Sequence, residues 1–152
     1  MNNQDRFELV RKMMEELIPF NREMGFKLVK LEDGEAEIDF EFQPKLVGNF
    51  EMNILHGGVI AAALDVVGAT AVLTGYTEGD SPLKGLGTVD MRIDYLRPGK
   101  GTHFKALGHL VRPGKVLGTS RMELYNDDNE LIAVGTAVYR VSTQNRNQPA
   151  NV

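Results

Sequence analysis

Residues 59–73 read Val-Ile-Ala-Ala-Ala-Leu-Asp-Val-Val-Gly-Ala-Thr-Ala-Val-Leu, and wound as a helix this segment has no polar face. A helix that is apolar on every side is stable in water only when other elements enclose it. Asp65, Gly68 and Thr70 interrupt the run, which is also shorter than a membrane span requires, so the enclosing elements are expected to be protein. With 152 residues, 42% of them hydrophobic, the chain is long enough for one domain with a sizeable core and too short for two typical ones.

The flanking segments supply the enclosure. Residues 5–18 place Phe7, Leu9, Val10, Met13, Met14, Leu17 and Ile18 on one helical stripe, and Pro19 ends the run. This N-terminal helix either covers a channel or caps the domain. Residues 27–31 and 35–42 read as strands joined at Asp33-Gly34, the second alternating Ala36, Ile38, Phe40 and Phe42 with acidic residues. Residues 43–55 lack a period and read as a loop, and residues 75–87 as a second connection. Four more strands are predicted at 88–96, 103–111, 116–126 and 131–141, linked by short turns rich in Gly, Pro, Asn and Asp. The pattern predicts an α+β fold in which an antiparallel sheet of about six strands wraps around a long central helix. Residues 1–23 form the N-terminal helix packed on it, 24–141 the single domain, and 142–152 a polar tail expected to be disordered.

Asp65 is the one carboxylate of the central helix. Burying such a group without partners costs several kcal/mol, roughly, so it is either a satisfied structural carboxylate at a helix crossing or a base or nucleophile tuned by burial. Just upstream, Gly57 and Gly58 follow His56. Glycines at a helix start leave N–H groups unshielded where the helix dipole is positive, which suits a developing oxyanion, or they simply allow a tight entry into the helix. At ~1.5 Å per residue, Asp65 lies roughly 10 to 12 Å from these glycines. No single carbonyl can reach both in one chain. If both act in catalysis, an antiparallel pair of helices from two subunits must bring them together, giving a homodimer with two composite sites.

Two stretches carry a resemblance: NILHGGVIAAALD at 53–65 and GTVDMRIDYLRP at 87–98. Together with the order of elements from about 24 to 141, they resemble the hotdog-fold acyl-CoA thioesterases of the phenylacetate-pathway type. The resemblance implies that Asp65 acts as nucleophile or as the base that activates water. It implies that the Gly57 amide polarises the thioester carbonyl while His56 and Gly58 shape the turn. Thr88 matches a hydroxyl residue that places water, and it is equally an ordinary β-branched strand residue. The family often carries Asn six residues before the His and Gly three before it, where this chain has Phe50 and Asn53; Asn49 or Asn53 then supplies the amide from a shifted loop. Coenzyme A phosphates are implied near the turns that hold Arg97, Gly99, Lys100, Arg112, Gly114 and Lys115, residues that otherwise read as solvated turn cations.

The function expected is hydrolysis of an acyl-CoA thioester, with no cofactor and no metal. The alternatives are a non-catalytic acyl-CoA-binding module and an acyl-CoA hydratase or dehydratase. A chain without cysteine has no thiolate nucleophile and no disulfide, and a cytoplasmic setting is expected. A net charge of −4 argues against bulk nucleic-acid binding. His103 and His109 share a face of one strand without ligands at metal spacing and read as structural. The expected partners are the acyl-CoA and a second copy of the chain, with a dimer of dimers beyond that, and neither nucleic acid nor a membrane.

Overall fold

The computed structural model describes residues 3–76 and 85–141. Most of the 75–87 connection and the 142–152 tail therefore lie outside the described residues.

The central helix, α3, is longer than its apolar run. It spans Gly57–Thr74 and is long and apolar enough to cross a membrane by composition. It is nonetheless a core helix, because Ala63, Leu64, Val67, Ala71 and Val72 are fully buried against a sheet. That sheet consists of β1 (Lys27–Glu32), β2 (Glu35–Glu41), β5 (Gly87–Tyr95), β6 (His103–Pro113), β7 (Leu117–Asn126) and β8 (Leu131–Arg140). Its order is β1-β2-β6-β7-β8-β5, antiparallel throughout. Alternation decides which face meets the helix: Ala36, Ile38 and Phe40 of β2 point inward, and Glu35, Glu37 and Asp39 lie on the other face. Phe40 packs on Phe26 and on Phe104 at ring separations of 5.2 and 5.4 Å.

The N-terminal helix is broken in two. Helix α1 (Asn3–Lys12) widens into a π-helical turn at Met13–Leu17, Ile18 is extended, and Pro19 opens α2 (Pro19–Met24). Proline ends one helix here and starts the next, since at a first helical position it sacrifices no hydrogen bond. Met13 and Met14 are buried, and Arg6 ties α1 to the Tyr76 carbonyl and to Asp33. Residues 43–55 are more ordered than a loop. A 3-10 turn (Pro44–Leu46) leads into two very short paired strands, β3 (Val47–Asn49) and β4 (Ile54–Leu55). Strands this short leave no period to read. Asn49 Oδ1 accepts the amides of Glu51 and Met52, both at 3.1 Å, and Asn53 adopts a left-handed φ of 52°.

One face of α3 is not covered by its own sheet. Gly58 is exposed, and Ala61, Ala62, Asp65, Val66 and Ala69 are only half-buried. On the covered side the backbones approach so closely that a Cβ on Gly108 of β6 would lie 2.5 Å from the Val67 carbonyl oxygen. Gly108→Ala should therefore push β6 off the helix and cost about 1–3 kcal/mol in thermal or denaturant unfolding. Gly87→Ala, with nothing within 4 Å of its added methyl, should leave stability nearly unchanged. Equal stability of the two variants would rule out that close approach.

Candidate active site

At the start of α3, His56 is the N-cap, and its Nδ1 accepts the Gly58 N–H at 2.8 Å. With Nδ1 as acceptor, the neutral ring carries its proton on Nε2. The amides of Val59 and Ile60 both reach the His56 carbonyl, at 2.9 and 3.3 Å. That leaves the Gly57 N–H with no acceptor among the described residues. The two glycines thus differ. A Cβ on Gly58 would sit 2.9 Å from His56 Nδ1, whereas one on Gly57 would meet only the Tyr95 ring at an ordinary 3.5 Å. A side chain at 58 would therefore push the His56 ring from its cap, whereas one at 57 has room. The Tyr95 hydroxyl donates to the Gly57 carbonyl at 3.1 Å, a contact that sequence reading missed.

Two turns further on, Asp65 is half-buried rather than enclosed, because it lies on the uncovered stripe. Thr88 Oγ1 donates to Asp65 Oδ1 at 2.8 Å, and Oδ2 has no hydrogen bond among the described residues. A bulge between Thr88 and Asp90 sets the end of β5, the edge strand beside this stripe. Behind Asp65, Tyr139 of β8 is fully buried and its hydroxyl donates to the Asp65 carbonyl at 2.9 Å. Burial, and then the charge of Asp65, push this phenol well above the ordinary tyrosine range, so it stays a protonated donor. Tyr139 also went unread in the sequence. The available signal was a lone aromatic hydroxyl on a strand face otherwise made of Ala133, Gly135, Ala137 and Val141.

Gly57 and Asp65 remain about 12 Å apart along the helix at ~1.5 Å per residue. Of the two asparagines near the missing family residue, Asn49 is committed to its turn, while the Asn53 side chain makes no hydrogen bond among the described residues. Phe50 stands in water, 83% exposed. The basic residues are not one cluster. Arg97 and Lys100 sit by the start of α3, where the Leu55 amide bonds the Gly99 carbonyl at 2.9 Å. Arg112 and Lys115 flank a turn at its far end, where the Tyr76 hydroxyl bonds the Gly114 carbonyl at 2.7 Å. His103 pairs with Asp39 at 3.0 Å and His109 with Glu35 at 3.6 Å, through side chains on the sheet face away from α3. Among the described residues, no three His, Cys, Asp or Glu side chains come close enough to hold a metal.

Comparison with known proteins turns this geometry into a family. The family model for the thioesterase superfamily matches residues 52–133, from the β3–β4 turn through Thr88 to the start of β8. The chain belongs to the thioesterase superfamily. This thioesterase is 43% identical over 144 residues to the medium/long-chain acyl-CoA thioesterase YigI of Salmonella typhimurium, covering 88% of this chain and 92% of the relative. Its Escherichia coli K12 counterpart is 42% identical over the same length. A crystal structure from Shewanella oneidensis, related to the thioesterase superfamily, superposes with a TM-score of 0.84 at 34% identity, covering 92% of this chain and 97% of that one. The Escherichia coli PaaI protein shares the fold at a TM-score of 0.75 and 18% identity, covering 91% of this chain and 92% of its own. The sheet wrapped around α3 is thus the hotdog fold.

The start of α3 in the thioesterase can be tested without reference to turnover. His56 has the extended backbone (φ −62°, ψ 135°) that a residue before proline needs, and position 57 is the first of the helix. Gly57→Pro should therefore fold with a Tm within a few degrees of wild type. His56→Ala removes the acceptor of the Gly58 N–H, and should cost about 1 kcal/mol, or ~2–4 °C in Tm.

Proposed function

We propose that this protein hydrolyses medium- and long-chain acyl-CoA thioesters at two composite sites of a homodimer, each pairing Gly57 of one chain with Asp65 of the other. The observation that carries this reading is that the Gly57 N–H and the Asp65 Oδ2, neither of which has a hydrogen-bond partner among the described residues, belong to one helix and lie too far apart to meet within a chain. The strand beside that helix supports it. β5 is a nine-residue sheet edge with Val89 60% exposed, and edges of this kind pair with another chain unless something blunts them. Pairing β5 with its symmetry mate would continue the sheet and lay two α3 helices antiparallel along their small-residue stripes.

In that arrangement the thioester carbonyl oxygen accepts the Gly57 N–H of one chain, in line with the positive end of α3. The Asp65 carboxylate of the partner takes a proton from water as the water oxygen attacks the carbonyl carbon. The C–S bond then breaks, releasing the acid and the coenzyme A thiolate, which takes up the proton. Attack by Asp65 itself through an anhydride, hydrolysed in a second step, gives the same products. Thr88 Oγ donates to Asp65 Oδ1 and keeps lone pairs that can hold the water. His56 and Gly58 shape the turn, and Asn53 is the amide left to assist the carbonyl.

The two basic groups fit this pairing better than they fit one chain. With Gly57 of one helix beside Asp65 of the other, the far end of the second helix extends about 14 Å beyond the start of the first, at ~1.5 Å per residue. Arg112 and Lys115 of one subunit would then lie beyond Arg97 and Lys100 of the other, along a line that a pantetheine arm and its diphosphate could follow. The preference for longer acyl chains rests on the activity named for the two relatives at 42–43% identity.

Asp65→Asn should fold normally and lose roughly 10²-fold or more in kcat for thiol release from acyl-CoA. Gly57→Pro, which removes one donor, should lose a similar factor. Refolded together, the two inactive variants should regain up to about a quarter of wild-type activity. Half the dimers would be mixed, and each of those would hold one intact site. Full activity in Asp65→Asn would overturn the catalytic reading, and no recovery on mixing would overturn the composite site.

A further inference from the structure

We infer that Tyr139 is a positioning residue of the active site: its hydroxyl, inserted behind Asp65 in α3, sets where the carboxylate stands relative to Thr88. This rests on the catalytic reading of Asp65 and goes beyond it. Thr88 of β5 and Tyr139 of β8 are direct cross-strand partners, so their side chains leave the sheet on the same face, towards α3. One reaches the side chain of Asp65, at 2.8 Å to Oδ1, and the other its main chain, at 2.9 Å to the carbonyl oxygen. A single rung of the sheet thus grips one residue of the helix at both ends.

The main-chain grip is unusual for its place. In a regular helix the Asp65 carbonyl would be taken by the Ala69 N–H alone. Here the Tyr139 hydroxyl is a second donor to that carbonyl, at 2.9 Å. A side-chain donor on a ladder carbonyl is one of the things that locally bend a helix. Two neighbouring features accommodate it. Gly68 leaves the room, since a Cβ there would lie 2.5 Å from the Tyr139 hydroxyl and 2.7 Å from that of Ser120. The next carbonyl, of Val66, takes its own extra donor from Thr70 Oγ1 at 2.7 Å. The turn that follows Asp65 is therefore supported by side-chain hydroxyls at two successive carbonyls. If ring volume were all that mattered, phenylalanine would fill the site without the cost of a buried hydroxyl.

Tyr139→Phe is a clean test because the Asp65 carbonyl keeps the Ala69 N–H, its ordinary helical partner, when the hydroxyl is removed. The variant should fold with a Tm within a few degrees of wild type, and it should relax the helix away from Thr88. We expect kcat for acyl-CoA hydrolysis to fall about tenfold or more, in line with the cost of displacing a catalytic group by a fraction of an ångström to 1 Å, with KM within twofold. Adding Thr88→Val should cost less in Tyr139→Phe than in wild type, because the two hydroxyls act on one carboxylate. Ser120→Ala, which alters the same buried cluster but leaves Tyr139 on Asp65, should keep kcat within twofold. Wild-type kcat in Tyr139→Phe, or an equal fall in Ser120→Ala, would overturn the inference. Its failure is distinguishable from failure of the catalytic reading, which shows in Asp65→Asn.

Discussion

An apolar helix in water must be wrapped, and the way α3 is wrapped governs the rest of this molecule. The sheet curves around it closely enough that β6 presents a glycine to the Val67 carbonyl, and Tyr139 with Ser120 crowds Gly68 from β7 and β8. Six strands cover most of the helix but not all of it. The stripe left over begins at Gly58, passes Ala61, Ala62 and Asp65, and ends near Ala69, and the residues with chemical potential lie on or beside it. Incomplete enclosure also explains how the helix tolerates a carboxylate. Asp65 is half-buried, with one oxygen on Thr88 and the other without a hydrogen bond among the described residues, so its charge need not be removed from water altogether.

Hydrogen bonds at the two ends of this stripe have different purposes. At the helix start, the amides of Gly58, Val59 and Ile60 are taken by His56, through its ring or its carbonyl, and the Gly57 amide has no acceptor among the described residues. Capping thereby selects one amide out of several. At Asp65, the sheet reaches up through a cross-strand pair, and two hydroxyls address the carboxylate and the carbonyl of one residue. The first end is shaped by the local chain, the second by strands that arrive from later in the sequence. The separation of the ends along one rigid helix is what makes a second copy necessary to the proposed chemistry.

Much of this was legible in the residues. The alternation in β2, the turn clusters between the later strands and the all-apolar helix were sufficient to order the elements, because each depends on nearby positions. The reading failed where local signals were short or ambiguous. Pro19 was read only as a stop although it also starts α2, and β3 and β4 are too brief to show alternation. The two turns that hold the four basic residues share an Arg-Pro-Gly-Lys pattern, and nothing in that pattern tells that they lie at opposite ends of α3. Tyr95 and Tyr139 were passed over, since a tyrosine in a strand is ordinary until its hydroxyl is seen to have somewhere to go.

The sequence by itself determined that one helix had to be enclosed by an antiparallel sheet, that a single carboxylate lay in its middle, and that glycines opened it, because periodicity, turn chemistry and helical rise are properties of neighbouring residues. Tertiary structure alone decided which face of the helix stayed uncovered by the sheet, which glycine amide found no acceptor among the described residues, and which hydroxyls met Asp65. Those outcomes depend on strand order and register, which bring Thr88 and Tyr139 from distant segments to the two ends of one rung, facing the same side, and no local pattern in either strand records that they will meet.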